Sequence, residues 1–203
     1  MENTKDFYHS IASVDEPSYF KEKGSKFYGF AFPVKSEEEV KQALETVKKS
    51  HYSARHWCYA YRLGVEGKDY RVNDDGEPSN SAGQPIYGQI LAKDLTDVLV
   101  VVVRYFGGVK LGVGGLIQAY KLSAQLVLNE AKIIDHPIEK EFQIQFNYDQ
   151  MNKVMRYIKD MQLRIVSQEL ALDCKMILAT VQSKYETTID AISQNHLVRI
   201  KQL

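Results

Sequence analysis

Cysteine is nearly missing from this 203-residue chain: Cys58 and Cys174 are the only two, far apart and each inside an apolar, strand-like run. Two such thiols exclude a disulfide-stapled scaffold and fit a reducing compartment, where both are expected as buried, inert side chains. Paired metal-ligating spacings are also missing: there is no C-x-x-C and no H-x-x-x-H, which argues against a structural zinc site. The longest apolar run, Val98 to Val103, is far short of the roughly 20 residues that span a bilayer. The opening "MENTKDFYHS" has no apolar signal core, so the expected location is the cytoplasm, with no membrane partner. Net charge is missing as well. Lysine plus arginine (26) balances aspartate plus glutamate (26), with nine of each from Asp135 onward and seventeen of each before it. Strong non-specific DNA binding needs clustered positive charge and is not expected, whereas a local basic patch stays open.

What is present is ordinary for a soluble globular protein: 44% hydrophobic and 26% charged residues, in a length that suits one large domain or two small ones. "SKFYGFAFPV" (Ser25 to Val34) reads as an aromatic-rich strand. In "SEEEVKQALETVKKS", Ser36 and Glu39 form a capping box ahead of an apolar face at Val40, Ala43, Leu44 and Val47. "RHWCYAYRLG" alternates, placing Trp57, Tyr59 and Tyr61 on one face and His56, Cys58, Ala60 and Arg62 on the other. "VEGKDYRV" continues as a turn and a strand, and "IYGQILAKD" as a short helix. "TDVLVVVVRYF" is a strand buried on both faces, and "LIQAYKLSAQLVLNEAKI" a deeply buried helix. Near "DHPIEK" (Asp135 to Lys140) a linker is expected. Beyond it the pattern turns to βαββαβ, the ferredoxin-like split motif. The expected class is α+β in two domains, 1–135 and 136–203.

Two stretches carry possible chemistry. "RYFGGVKLGVGG" places a five-glycine loop between a buried strand and a helix, the order in which many proteins cradle phosphate. A P-loop match from Gly107 to Gly112 fails at Val113, where lysine is required. A dinucleotide fingerprint from Gly112 and Gly114 fails at Ile117, where the third glycine belongs. Two readings remain: a tight strand-to-helix corner, or an anion site in which Arg104 and Lys110 flank Gly107, Gly108, Gly112 and Gly114. The second stretch, "NDDGEPSNSAGQP" (Asn73 to Pro85), carries Asp74, Asp75 and Glu77. Three carboxylates suit Mg²⁺ beside a phosphate, and the same residues are also turn chemistry. His56 is either a hydrogen-bonded core residue or a participant in that site. Ser79 and Ser81 lie in no nucleophile motif, so a hydrolase triad finds no support.

Taken together, "RHWCYAYRLG", "DDGEPSNSAGQPI" and "VVVRYFGGVKLGVGGLIQAY", in this order, resemble the IMPACT family in its bacterial, two-domain YigZ-type form. Arg104, Tyr105, Phe106, Gly107, Gly108, Lys110, Leu111, Gly112 and Gly114 match its glycine-rich pattern. Asp74, Asp75, Gly76, Glu77, Pro78, Ala82, Gly83 and Pro85 match its acidic loop, and Asn80-Ser81 departs from the Gly-Thr pair frequent there. The resemblance implies an N-terminal domain with the fold of ribosomal protein S5 domain 2 and a C-terminal domain similar to elongation factor G domain V. It also implies a link to translation, because eukaryotic relatives restrain an amino-acid-starvation kinase by binding its activator protein. The expected function is therefore a non-catalytic binding protein of translation regulation, contacting ribosome, RNA or a translation-associated protein, with no cofactor. The alternative is a phosphate-ligand enzyme that joins the glycine loop to a Mg²⁺-binding acidic loop. Lys26, Arg55, Arg62, Arg71, Arg104 and Lys110 are the cations that could converge into a local basic surface beside the acidic loop.

Overall fold

The computed structural model describes residues 5–203. They fall into two compact units: 8–136, and 137–203 together with the N-terminal residues up to Phe7.

The N-terminal unit is built on an antiparallel sheet of five strands: β2 (Ser18–Glu22), β3 (Ser25–Pro33), β4 (His56–Leu63), β5 (Asp69–Asn73) and β6 (Val98–Tyr105). Their spatial order is β2-β3-β6-β4-β5. The centre falls to β6 because its side chains are apolar on both faces. Every residue from Val98 to Val103 is 0% exposed, which stabilises by roughly 1.5–3 kcal/mol per side chain. Val98, Val100 and Val102 pack with Cys58 and Ala60 under helices α2 (Gly83–Ala92) and α3 (Gly112–Glu130). Leu99, Val101 and Val103 pack with Tyr61 under α1 (Glu37–Ser50). The alternation expected of β4 is therefore observed, and its two faces serve two separate cores. Ser36 Oγ accepts from Glu39 N, and the Glu39 carboxylate reaches back to Lys35 N rather than to Ser36 N. The capping box is thus extended by one residue.

Two sequence expectations change. The supposed linker is strand: β7 (Ile133–Pro137) pairs with β1 (Phe7–Ile11), an element without a clear alternating pattern. Side chains hold this pair, through His9 Nδ1 to Asp135 Oδ1 at 2.8 Å and Ser10 Oγ to His136 Nε2 at 2.7 Å. The glycine loop is also shorter than read, because α3 starts at Gly112 and takes in three of the five glycines. Packing of Leu116, Ala119 and Tyr120 on the sheet anchors that first turn despite its poor helix formers.

The C-terminal unit has the expected βαββαβ order: β8 (Glu139–Asn147), α4 (Met151–Asp160), β9 (Arg164–Glu169), β10 (Asp173–Val181), α5 (Tyr185–Ser193) and β11 (Val198–Gln202). The strands lie in the order β11-β8-β10-β9. Phe142, Ile144 and Phe146 are buried beneath the helices. Tyr148, which continues the same alternation, starts a 3-10 turn instead and is 60% exposed. The molecule is α+β throughout.

Candidate functional site

The site lies at the Arg104 end of the central sheet. Strand register explains the gathering: Arg104 stands opposite His56 on one neighbour and Phe27 on the other. The long loop after β5 returns over this end. Its turn chemistry is internal. Asp75, Gly76 and Asn80 take positive φ (42°, 85° and 60°), which asparagine and aspartate tolerate better than other side-chain-bearing residues. Asn80 therefore fills a left-handed position suited to glycine, and Ser81 Oγ donates to the Pro78 carbonyl at 2.6 Å. The Asn80-Ser81 departure from the family pattern leaves the turn intact.

The carboxylates of this loop face inward. Asp74 Oδ1 accepts from Ala82 N (2.9 Å) and Gly83 N (2.8 Å), and its Oδ2 from Asn80 N (2.8 Å), so it caps α2 from nine residues away. Asp75 Oδ2 accepts from Trp57 N at 2.7 Å, and the Asp75 carbonyl accepts from His56 Nδ1 at 2.8 Å. His56 Nε2 lies 3.9 Å from Glu77 Oε1. Glu77 Oε1 accepts from Arg104 Nη1 (2.6 Å) and from the Tyr120 hydroxyl (2.8 Å). Arg104 is only 4% exposed. Its Nη2 donates to Ser25 Oγ (3.3 Å), its Cζ lies 5.7 Å from the Phe27 ring centroid and 5.6 Å from that of Phe106, and its Nε has no partner. Burial pushes the Tyr120 hydroxyl and the Cys58 thiol well above their ordinary pKa values, with the neighbouring acids adding to the effect. Both stay protonated. Cys58 Sγ donates to the Asp74 carbonyl, as befits an inert core thiol. Among the described residues, no group of three His, Cys, Asp or Glu side chains is arranged to hold a metal ion.

The glycine loop behaves differently. A Cβ on Gly107 would lie 1.9 Å from the Gly24 carbonyl carbon, so only glycine lets these two backbones cross. Gly108 and Gly112 have positive φ (86° and 72°). Gly114 is neither crowded nor strained: it is helical, and a Cβ there would meet nothing within 4 Å. The first turn of α3 has Leu111 at its N-cap and receives no side-chain cap. Its amide end is open to a ligand.

Both loops meet at one cleft of about 340 Å³, lined by Glu77 and Pro78 of the acidic loop, by Arg104 and Phe106, and by Lys110 to Val113 and Leu116 around the start of α3. Of the residues expected from sequence, Glu77, Arg104, Lys110 and Gly112 meet there. Asp74, Asp75, His56, Gly107 and Gly108 hold the loops in shape, and Gly114 adjoins the cleft on the first turn of α3. Tyr120 and Ser25 were not anticipated. The signal for Tyr120 was present, since a tyrosine on the core face of a helix needs a partner for its hydroxyl. The basic surface contracts. Lys26 and Arg55 stay at the Arg104 end, whereas Arg62 lies opposite Val98 at the far end of β4, donating to the Gly67 and Leu95 carbonyls. Arg71 pairs with Tyr61 at that far end too.

A five-stranded unit with a cleft between an acidic turn and a glycine-rich helix start, followed in the chain by a ferredoxin-like unit, defines a two-part α+β class. Residues 23–128 match the family model described as the Impact N-terminal domain. The chain is 34% identical over 155 residues to the IMPACT family member YvyE of Bacillus subtilis, covering 76% of this chain and 71% of that one. It is 32% identical over 176 residues to an IMPACT family member of Haemophilus influenzae, covering 84% and 82%. The protein belongs to the IMPACT family. A crystal structure of a hypothetical protein shares the fold across 98% of both chains, with a TM-score of 0.68 at 23% identity. Among the described residues, no helix is long and apolar enough to cross a membrane.

Proposed function

We propose that this chain is a non-catalytic binding protein of translation regulation, working in the cytoplasm and docking through the cleft on a ribosome, an RNA or a translation-associated protein. Family membership supports the translation context. The observation that carries the binding role is the pairing state of the cleft. Its acid is already matched: Glu77 holds Arg104 and Tyr120. The groups left for a partner are Lys110, which pairs with no described side chain, and the uncapped start of α3. His56, on the cleft side of the sheet, is held by a backbone carbonyl and a carboxylate rather than beside a nucleophile.

The enzymatic alternative draws on one observation, that Glu77, Arg104 and Lys110 share the cleft. Magnesium fits it poorly. Asp74 and Asp75 accept four backbone N–H groups between them, so metal coordination would uncap α2 and release Trp57 N.

Co-sedimentation of the full chain with ribosomes tests the proposal. Retention is expected at low salt, weakening as salt rises and weakening further for Lys110→Ala. Absence of retention at low salt would remove ribosome docking. Arg104→Ala is the poorer probe, because it strips a buried carboxylate of its partner.

A further inference from the structure

We infer that the cleft of the N-terminal unit recognises a peptide segment of a partner protein in which a side-chain carboxylate sits beside an aromatic or long aliphatic side chain. This deepens the proposed docking role and rests on it, because it names the chemistry of the partner at the same cleft.

The anionic half of the recognition comes from three features. Glu77 neutralises Arg104, so the charge left in the cleft is that of Lys110 together with the positive end of the 19-residue helix α3. Leu111 at its N-cap offers no capping side chain, and among the described residues no other side chain caps that helix end. Arg104, buried to 4% exposure in the cleft lining, keeps its Nε without a partner, and buried donors are ordinarily satisfied. A carboxylate settling at the helix start would meet Lys110 and the first-turn amides, and would bring a second acid to the arginine that Glu77 alone serves.

The apolar half comes from the cleft's hydrophobic wall. Phe106 and Val113 are 43% and 52% exposed, and Leu111 and Leu116 are buried in the same lining. A phosphate group gains nothing from this wall, and a nucleic-acid backbone calls for several cations where the cleft has one unpaired lysine. A volume of about 340 Å³ sits at the small end of ligand sites and accommodates a pair of side chains. Gly114 adds a steric argument. The fold does not require glycine there, since the position is helical and its surroundings are open. Glycine is a poorer helix former than alanine, and its bare Cα leaves room for an approaching main chain.

The test is an amide-resolved NMR titration of the full chain with three C-terminally amidated, N-acetylated pentapeptides: Gly-Leu-Phe-Glu-Gly, Gly-Leu-Phe-Gln-Gly and Gly-Ala-Ala-Glu-Gly. Decauridylate and inorganic phosphate form two further arms. The expected result is saturable shifts confined to Phe106 through Leu116 with the first peptide. Each of the other two peptides should bind about tenfold more weakly or worse, through loss of a charge-assisted contact or of apolar burial. Lys110→Ala should weaken the first peptide by about tenfold. Gly114→Ala should weaken it while the melting temperature holds or rises, separating ligand access from folding. Equal binding of the Glu and Gln peptides, shifts scattered outside the cleft, or decauridylate or phosphate shifting these amides where the first peptide does not would overturn the inference. Ribosome co-sedimentation that persists while all peptides fail would sink this inference alone. Peptide binding without co-sedimentation would support it and remove ribosome docking.

Discussion

The acidic loop and the glycine loop look alike as sequence: each gathers polar or flexible residues between regular elements, and each suits a phosphate or a metal. Folded, they are opposites. The acidic loop turns its carboxylates on the protein itself, with Asp74 capping a helix, Asp75 holding the His56 strand and Glu77 compensating a buried arginine. The glycine loop leaves a helix end and a lysine unmatched. Clustered carboxylates therefore point to a ligand only after the backbone amides around them have been counted, because a loop with few regular hydrogen bonds needs acceptors of its own.

The largest test of that contrast is Glu77→Ala. It leaves the Arg104 guanidinium buried without its carboxylate and should cost about 3–5 kcal/mol, measured by urea unfolding; a loss under about 1 kcal/mol would show that the pair is not a structural one. Gly107→Ala follows, since its methyl would collide with the Gly24 backbone. A loss near the top of the overpacking range, about 3 kcal/mol, is expected. Asp74→Ala should cost about 2 kcal/mol as α2 loses its remote cap, and Asp74→Asn should recover part of this. Gly114→Ala should instead stabilise by about 0.5–1 kcal/mol, so two glycines seven positions apart would give opposite signs in the same assay.

The smallest effect lies on the α1 face of the sheet. Burial lowers the His51 pKa from its ordinary 6.5, and its Nδ1 is 2.9 Å from the Tyr105 hydroxyl. Below pH 6.5 the unfolded chain binds this proton before the folded one does, so stability should fall as pH drops through that window and level off once the folded imidazole is also protonated. In His51→Gln this contribution to the slope should vanish. An unchanged slope would place the acid sensitivity elsewhere.

Much of this was legible beforehand for identifiable reasons. The unbroken run from Val98 to Val103 has no polar face, so it had to lie in the middle of a sheet. The alternation from Trp57 to Arg62 fixed which side chains face which core. The C-terminal order of elements needed only period counting. The β1–β7 pair was not legible, because its hydrogen-bonding partners are more than a hundred residues apart and neither strand alternates clearly. The start of α3 was missed because Gly112, Gly114 and Gly115 disfavour a helix locally, and packing of Leu116 and Tyr120 overrules them.

By itself the sequence determined the class: two α+β units, a buried central strand, inert thiols, no net charge, and motifs that place the chain in its family. Those properties follow from periodicity and composition, which act along the chain. Only the tertiary structure decided what the two conspicuous loops do. The pairing of Glu77 with Arg104, the reach of Asp74 to α2 and the crossing of Gly107 over Gly24 are contacts between distant segments. Whether a charge is available to a partner depends on which other group reached it first.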